Sequence, residues 1–571
     1  MQKTSLHQDS GRQACAQCSA SFEITAEDLA FLEKLSPKIG GKILKIPPPT
    51  LCPECRRQRH ITWRNERTLY QRTCDLCGKS IISIHETSAL FPVYCNECWW
   101  SDRWNAQVFG CPYDPSRSFL AQMQELRAVV PRNALYLKNT VNCDYCNHSL
   151  DIRNCYLCVC VGYNSEDGYY SKWIIKSKNF CDCYQLIGCE LQYESFYSNA
   201  CYNCIVAERS EECRDSAFLY DCTGCSDCFC CWNLRHKRFC IENVQYTEKE
   251  YRQRRNAIDL GSYHVFQDSV ARYRSLIAAR AVRVSMFSRQ CENVSGDFLI
   301  RCKNVHDSYD VEDGQDARFC YGCAGIRDCY DINEAAVDCE LQYDAQSCDL
   351  SRRICFSHTS YYCSDGLYLD SCHSCRSCFG SVGLRNAQYC IFNHQYTKEE
   401  FETLVPKIIE QMRQDGEWGE FFPAEQSPFA YNETTAMEYF PLTEEEVLRR
   451  GLKWKNRTDE PPKVDRIIPA HQLPNAIDDI PDDILNWAIE CEATGRPFRI
   501  IKQELDLYRA MRLPIPHLHP DERHRRRMAL RNPRKLWQRK CAKCGKEIQT
   551  TYAPERPEIV YCEACYLAEV Y

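Results

Sequence analysis

Cysteine placement constrains this chain more than any other feature: 44 of its 571 residues are cysteine, and they follow two different patterns. Toward the ends they form C-x-x-C pairs, Cys15/Cys18, Cys52/Cys55, Cys74/Cys77, Cys95/Cys98, Cys541/Cys544 and Cys562/Cys565, with Cys111 and Cys491 standing alone. The other 30 lie between about residues 140 and 400. The opening stretch MQKTSLHQDSGRQACAQC has no apolar secretory segment, and no uninterrupted apolar run resembles a membrane span. The expected setting is therefore the cytoplasm, where thiols stay reduced and paired cysteines read as metal ligands sooner than as disulfides.

Zinc takes four soft ligands in a tetrahedron, which two C-x-x-C knuckles joined by a loop supply with little strain. The pairs sort into three sets: Cys15, Cys18, Cys52 and Cys55 across a 33-residue loop; Cys74, Cys77, Cys95 and Cys98 across 17; and Cys541, Cys544, Cys562 and Cys565 across 17. Four thiolates close the metal shell, so the expected cofactor is structural Zn2+ at three sites. The second and third sets belong to copies of one module, because RNERTLYQRTCDLCGKSI at 64–81 matches RNPRKLWQRKCAKCGKEI at 531–548. At the same offset of 467, the counterpart of the first set is worn: Cys491, Thr494, His519 and Glu522, a poor zinc site.

The middle is itself duplicated. CELQY at 189–193 recurs at 339–343, and CSDCF at 225–229 matches CRSCF at 375–379, each 150 residues apart. The copies end in CIENVQYTEKEY and CIFNHQYTKEEF, where Thr247 and Thr397 before acidic residues predict helix starts. Within the copies cysteines recur at nine-residue steps, as at Cys204, Cys213, Cys222, Cys231 and Cys240. Short runs of Tyr, Phe, Val and Ile broken by Asn, Asp, Ser and Gly predict brief strands stacked at a fixed rise, with two or three nine-residue steps per coil.

The expected fold is mainly β: tandem cysteine-laddered β-solenoid units flanked by small zinc-ribbon modules, with a few capping or linking helices. Its parts are tandem ribbons at 1–110, a linker helix at 111–139, solenoid unit A at 140–250, a helical linker at 251–289 and unit B at 290–400. A helix and an extended Pro-rich, acidic connector follow at 401–483, then a degenerate ribbon and a C-terminal ribbon at 484–571.

The formal charge of −7 excludes a uniformly basic nucleic-acid coat but allows local basic surfaces. Arg56, Arg57, Arg59, Arg64, Arg67 and Arg72 precede the second ribbon; Arg523, Arg525, Arg526, Arg527, Arg531, Arg534, Lys535 and Arg539 precede and enter the third. Residues 521–546 sum to +9, whereas 141–250 sum to −6 and 291–400 to −9. Guanidinium groups suit phosphate, and Trp63, Trp99, Trp100, Trp104 and Trp537 could stack on bases, so RNA or another nucleic acid is the expected partner. The competing reading is intramolecular or with a protein partner, the arginines neutralising the acidic middle; membrane-surface binding is the weakest. Cys222/Cys225/Cys228 and Cys372/Cys375/Cys378 open like ferredoxin motifs, but the x-x-x-C-P continuation is missing, and no HExxH run or Walker motif occurs. No residue takes a catalytic role, and enzyme activity is not expected.

The segments IPPPTLCPECRRQRH, NERTLYQRTCDLCGKSI and VYCNECWWSDRW resemble large cysteine-rich zinc-ribbon proteins of candidate-phyla bacteria, over nearly the full length. The resemblance implies zinc at Cys52, Cys55, Cys74, Cys77, Cys95 and Cys98 and a bacterial cytoplasm, and implies nothing about catalysis. The function expected is a zinc-stabilised, non-enzymatic architectural protein binding RNA or another phosphate-rich partner through its basic ribbons. The alternatives are a protein-interaction scaffold with an acidic solenoid core, and a metal-handling or iron-sulfur redox enzyme.

Overall fold

The computed structural model describes residues 11–456 and 462–571. Residues 1–10, where the secretory segment was sought and the first ribbon domain begins, and 457–461 of the expected connector lie outside the described residues. The chain is mainly β and forms two units, each assembled from separate stretches. Unit 1 holds Met1–Leu135, Met286–Lys455 and Arg534–Leu536; unit 2 holds Tyr136–Ser285, Asn456–Pro533 and Trp537–Tyr571. Among the described residues no helix is long and apolar enough to cross a membrane.

A three-residue rule builds the cysteine-rich middle. From Ala200 to Asn233 every third residue has φ near +50 to +60°, the left-handed region. Asn, Asp and Gly hold many of these corners, as their low barrier to that region predicts. The residue after each corner faces inward, so Cys201, Cys204, Ala207, Cys213, Leu219, Cys222, Cys225, Cys228 and Cys231 are all buried. Parallel pairing runs Tyr202 to Arg214, Arg214 to Ser226 and Ser226 to Arg238, a register of twelve. Twelve residues with a corner at every third give a four-sided coil, and the successive coils make a solenoid-like stack.

This corrects the nine-residue pitch. Nine is a hydrogen-bond step: Cys213 Sγ donates to Glu211 O at 3.4 Å and to Cys222 O at 3.4 Å. Serine does the same job at other inward positions, Ser210 Oγ donating to Glu208 O while accepting the Cys222 amide. Three-residue sides leave little room inside, and their carbonyls need donors, so small side chains carrying S–H or O–H fill the core. In unit 1 the stack has irregularities. Gly296, at φ +141°, stands where register shifts and where a Cβ would meet Ser308 O at 1.7 Å. A thirteen-residue coil follows where Arg327 pairs with Glu340.

Capping boxes start the helices Glu248–Asn256 and Lys398–Gln414, with the Thr247 and Thr397 hydroxyls accepting from the Glu250 and Glu400 amides. The segment after the second of these is not an extended connector throughout. Trp418, Phe421, Phe422 and Tyr431 are buried in unit 1, because aromatic side chains between the prolines gain more from the core than the chain gains from staying extended.

Candidate metal centres and the basic helices

Each four-cysteine set is built the same way. A hairpin carries the first knuckle, as Tyr70–Thr73 and Ser80–Ser83 carry Cys74 and Cys77, with Gly78 turning at φ +74°. The second pair sits at a helix start: Cys95 is the N-cap of Asn96–Trp100, and Cys98 lies in its only turn. Cys52 before Pro53–Ile61 and Cys562 before Glu563–Val570 hold the same place.

In each of the three sets all four sulfurs lie within 4.8 Å of one another. Cys18 to Cys52 is 3.7 Å, Cys77 to Cys95 is 3.9 Å and Cys544 to Cys562 is 3.8 Å. A Zn–S bond of about 2.3 Å implies a tetrahedron edge of about 3.8 Å, so the donor spacing fits a thiolate-bound ion. Amides also aim at the sulfurs, Cys52 N to Cys15 Sγ at 3.3 Å and Cys95 N to Cys74 Sγ at 3.2 Å, and Arg103 Nη2 reaches Cys98 Sγ at 2.6 Å. Burial pushes the Cys74 and Cys541 thiols up, but amide donors outweigh it and bring them down to about 7 and about 6. Hydrogen bonding from Cys55 brings Cys52 down to about 5. Their partners move oppositely, Cys98 rising to about 12 through burial and its bonds with Cys95 and Cys77. Four sulfurs this close shed all their protons only when a cation balances the charge.

The worn set keeps the fold without the ligands. Trp487–Glu490 and Pro497–Phe498 form the hairpin, Gly495 N bonds Cys491 O, and Pro520–Met528 is the following helix. His519 Nδ1 accepts the Asp521 amide and Glu522 pairs with Arg525 and Arg526, so both act as helix-end groups. Burial pushes the Cys491 thiol up, but hydrogen bonds from the His519 backbone and the Thr494 hydroxyl turn the net direction down. Cys491→Ser is expected to change stability by no more than about 1 kcal/mol, as an isosteric swap in a site that needs no ion. Cys15→Ser is expected to lose one metal ion per chain and unfold its ribbon. Urea unfolding with metal counting on both variants checks the contrast.

The basic residues are where the structure departs most from expectation. Buried arginines already paired with carboxylates do not face a phosphate backbone. In unit 1, Arg56 grips Asp331 with Nε at 2.7 Å and Nη2 at 3.1 Å, and Arg59 joins Asp344 at 3.1 Å and Glu420 at 2.6 Å. His60 completes the contact at 2.5 Å from Asp344. Arg57 is sandwiched by the Tyr321 and Tyr439 rings at 4.6 and 4.2 Å. Arg64 bonds Glu66 and Ser347, and Arg72 bonds Asp75 and the Glu86 carbonyl. Arg67 is half-buried, and the Arg534 side chain, 6% exposed, spans Asp310 and Glu334.

Unit 2 repeats the scheme. Arg523 and Arg527 both grip Asp182, whose side chain is fully buried, and Arg527 also donates to the Tyr170 carbonyl. Arg531 lies over the Tyr184 ring and Arg539 donates to the Ala553 and Glu558 carbonyls. Among the fourteen basic candidates Arg525, Arg526 and Lys535 keep exposed side chains, at 70%, 55% and 53%. Each of the three is near a glutamate, Glu522 for the arginines and Glu54 for the lysine. Of the tryptophans, Trp63, Trp99 and Trp104 are core, Trp537 is half-buried and Trp100 is exposed.

The functional residues that sequence reasoning missed are the acids. Arg523 stands 467 residues after Arg56, and Asp331 stands 149 after Asp182, one short of 150 because of the thirteen-residue coil. The two units thus make the same contact: an arginine from the helix after the first-type site, seated on an aspartate at a corner of the coiled body. A further buried set, Arg127 and Arg132 on Asp370, belongs to unit 1 alone. Opposite net charges of ribbons and middle were the available signal. No family model matches the chain, and no curated protein matches it.

Proposed function

We propose that the protein is a zinc-stabilised, non-enzymatic scaffold: two tandem cysteine-laddered β-solenoid units, each clamped by ribbon modules, offering its remaining surface to a protein partner. Zinc is the resident ion in this reading, the compartment is a reducing cytoplasm, and the chain is akin to the candidate-phyla zinc-ribbon proteins it resembles. The single observation that carries it is the duplicated contact of Arg56 with Asp331 and of Arg523 with Asp182. Most of the ribbons' arginines are engaged by carboxylates within each unit, and guanidinium groups so engaged do not serve a phosphate backbone.

RNA binding is the second reading, favoured by the exposed Arg525 and Arg526. The test is binding of full-length protein to mixed RNA from low to physiological salt, with Arg525→Gln/Arg526→Gln alongside. The scaffold reading expects binding lost by physiological salt and unchanged by the double substitution. Retention at physiological salt, with a several-fold loss in the variant, overturns it in favour of RNA. Iron and sulfide in the anaerobically purified protein would instead revive the redox enzyme.

A further inference from the structure

The duplication that seats Arg56 on Asp331 and Arg523 on Asp182 leaves one charge of unit 2 unmatched. In unit 1, Asp344 is met by Arg59 at 3.1 Å, and the same guanidinium holds Glu420 at 2.6 Å. Glu420 also accepts from the Thr50 hydroxyl at 2.7 Å. A guanidinium thus bridges two carboxylates there.

The equivalents in unit 2 are Glu194, 150 residues before Asp344, and Arg526 and His517, each 467 after Arg59 and Thr50. His517 Nδ1 bonds Glu492 at 2.5 Å, so a carboxylate again meets that position. Arg526 does not complete the set. Its counterpart in unit 1 follows Cys55, a candidate metal ligand, whereas Glu522 stands at that place in unit 2 and draws the Arg526 Nε to 2.8 Å along the helix Pro520–Met528. Among the described residues the Glu194 carboxylate makes no hydrogen bond and no ion pair.

Beside it lies an open cavity of about 220 Å3, wholly within unit 2, lined by Glu194, Glu492, His517, Arg526, Tyr263 and Phe266. Arg523 also lines it, with its guanidinium held by Asp182. Tyr263 and Phe266 come from the helix Tyr263–Arg280, and the Tyr263 ring stacks on His517 with centroids 3.5 Å apart. The volume is below the roughly 300–1,000 Å3 of drug-sized sites and suits a group the size of one side chain. Two carboxylates beside aromatic rings suit a planar cation, which donates to both acids and lies against a ring, where an ammonium makes only point contacts. We infer that this cavity binds the guanidinium group of a ligand, with Glu194 and Glu492 accepting its N–H groups as Asp344 and Glu420 accept those of Arg59. An arginine on a partner protein and a free guanidino compound present the same group. The site is independent of the scaffold reading, which the RNA titration decides.

The test titrates full-length, zinc-loaded protein calorimetrically with agmatine, with a capped Gly-Arg-Gly peptide, and with the same peptide carrying citrulline, which keeps the shape without the charge. Agmatine or the arginine peptide is expected to bind at least about tenfold more tightly than the citrulline peptide. Glu194→Gln is expected to cost a similar factor while keeping its circular dichroism. Glu190→Gln, at an exposed acid outside the cavity lining, is expected to bind as the unsubstituted protein does. Arg526→Gln is expected to tighten binding, because that side chain is the internal competitor for Glu194. Tighter binding of the peptide assigns the cavity to a partner's arginine, and tighter binding of agmatine assigns it to a free compound. No binding at millimolar concentration, equal binding of the citrulline peptide, or binding indifferent to Glu194→Gln overturns the proposal. The citrulline comparison on the unsubstituted protein decides even where a variant fails to fold.

Discussion

Full-length protein stripped of metal at neutral pH is expected to lose the cooperative folding of unit 1, and to regain it when zinc is returned. The second ribbon has little else to hold it. Its helix Asn96–Trp100 is a single turn and its hairpin strands are four residues long, both below the length that is stable alone in water. Cys74, Cys95 and Cys98 lie in the same apolar cluster as Tyr94, Trp99, Trp104 and Phe119, so an open knuckle exposes aromatic core. Structural zinc in finger peptides contributes about 10–16 kcal/mol, as much as the whole stability of a typical domain at about 5–15 kcal/mol. The readouts are a metal count near three zinc per chain before chelation, a red shift of tryptophan emission after it, and loss of the calorimetric transition. A metal-free protein with an unchanged transition would mean that the sulfur sets are packing groups only.

Local covalent spacing made the metal sets legible. C-x-x-C with Gly78 or Gly545 after it dictates a knuckle whatever surrounds it, and the 17-residue loops brought the second pair into place. The coiled bodies were half legible. Cysteine at 204, 213, 222, 231 and 240 showed a true chemical repeat, the sulfur bond to the carbonyl nine residues on, but a coil closes at twelve. Nine lands one side short of closure, so the marked cysteines move round the stack instead of rising along one face. The run Cys222, Cys225, Cys228 and Cys231 carried the three-residue pitch, but metal motifs use the same spacing, so the spacing alone does not mark the sides of a coil. The arginines were least legible. Arg56 meets Asp331 across 275 residues, and a charged helix reads alike whether it faces solvent or a partner on a distant coil.

The same pairing supplies the second large effect. Asp182→Ala is expected to destabilise unit 2 by about 3–5 kcal/mol, because it leaves Arg527 buried without its carboxylate and Arg523 with only Glu504, at 3.6 Å. Arg523 and Arg527 are only 5% and 6% exposed and cannot swing out to water without opening the contact between the helix Pro520–Met528 and the coiled body. Asp331→Ala is expected to act similarly in unit 1, where Arg56 is 1% exposed. Arg525→Ala, which removes a 70% exposed side chain whose partner is Glu522 three residues earlier on the same helix, is expected to stay within about 0.5 kcal/mol. Replacing Asp182, Arg523 and Arg527 together with apolar residues of similar volume, with Glu504→Gln to neutralise the buried carboxylate that Arg523 also faces, is expected to recover much of the loss, since the penalty is desolvated charge and not missing bulk. Denaturant unfolding of the four proteins separates the two accounts: if Asp182→Ala is as mild as Arg525→Ala, the arginines reach water and the clamp is a surface ion pair.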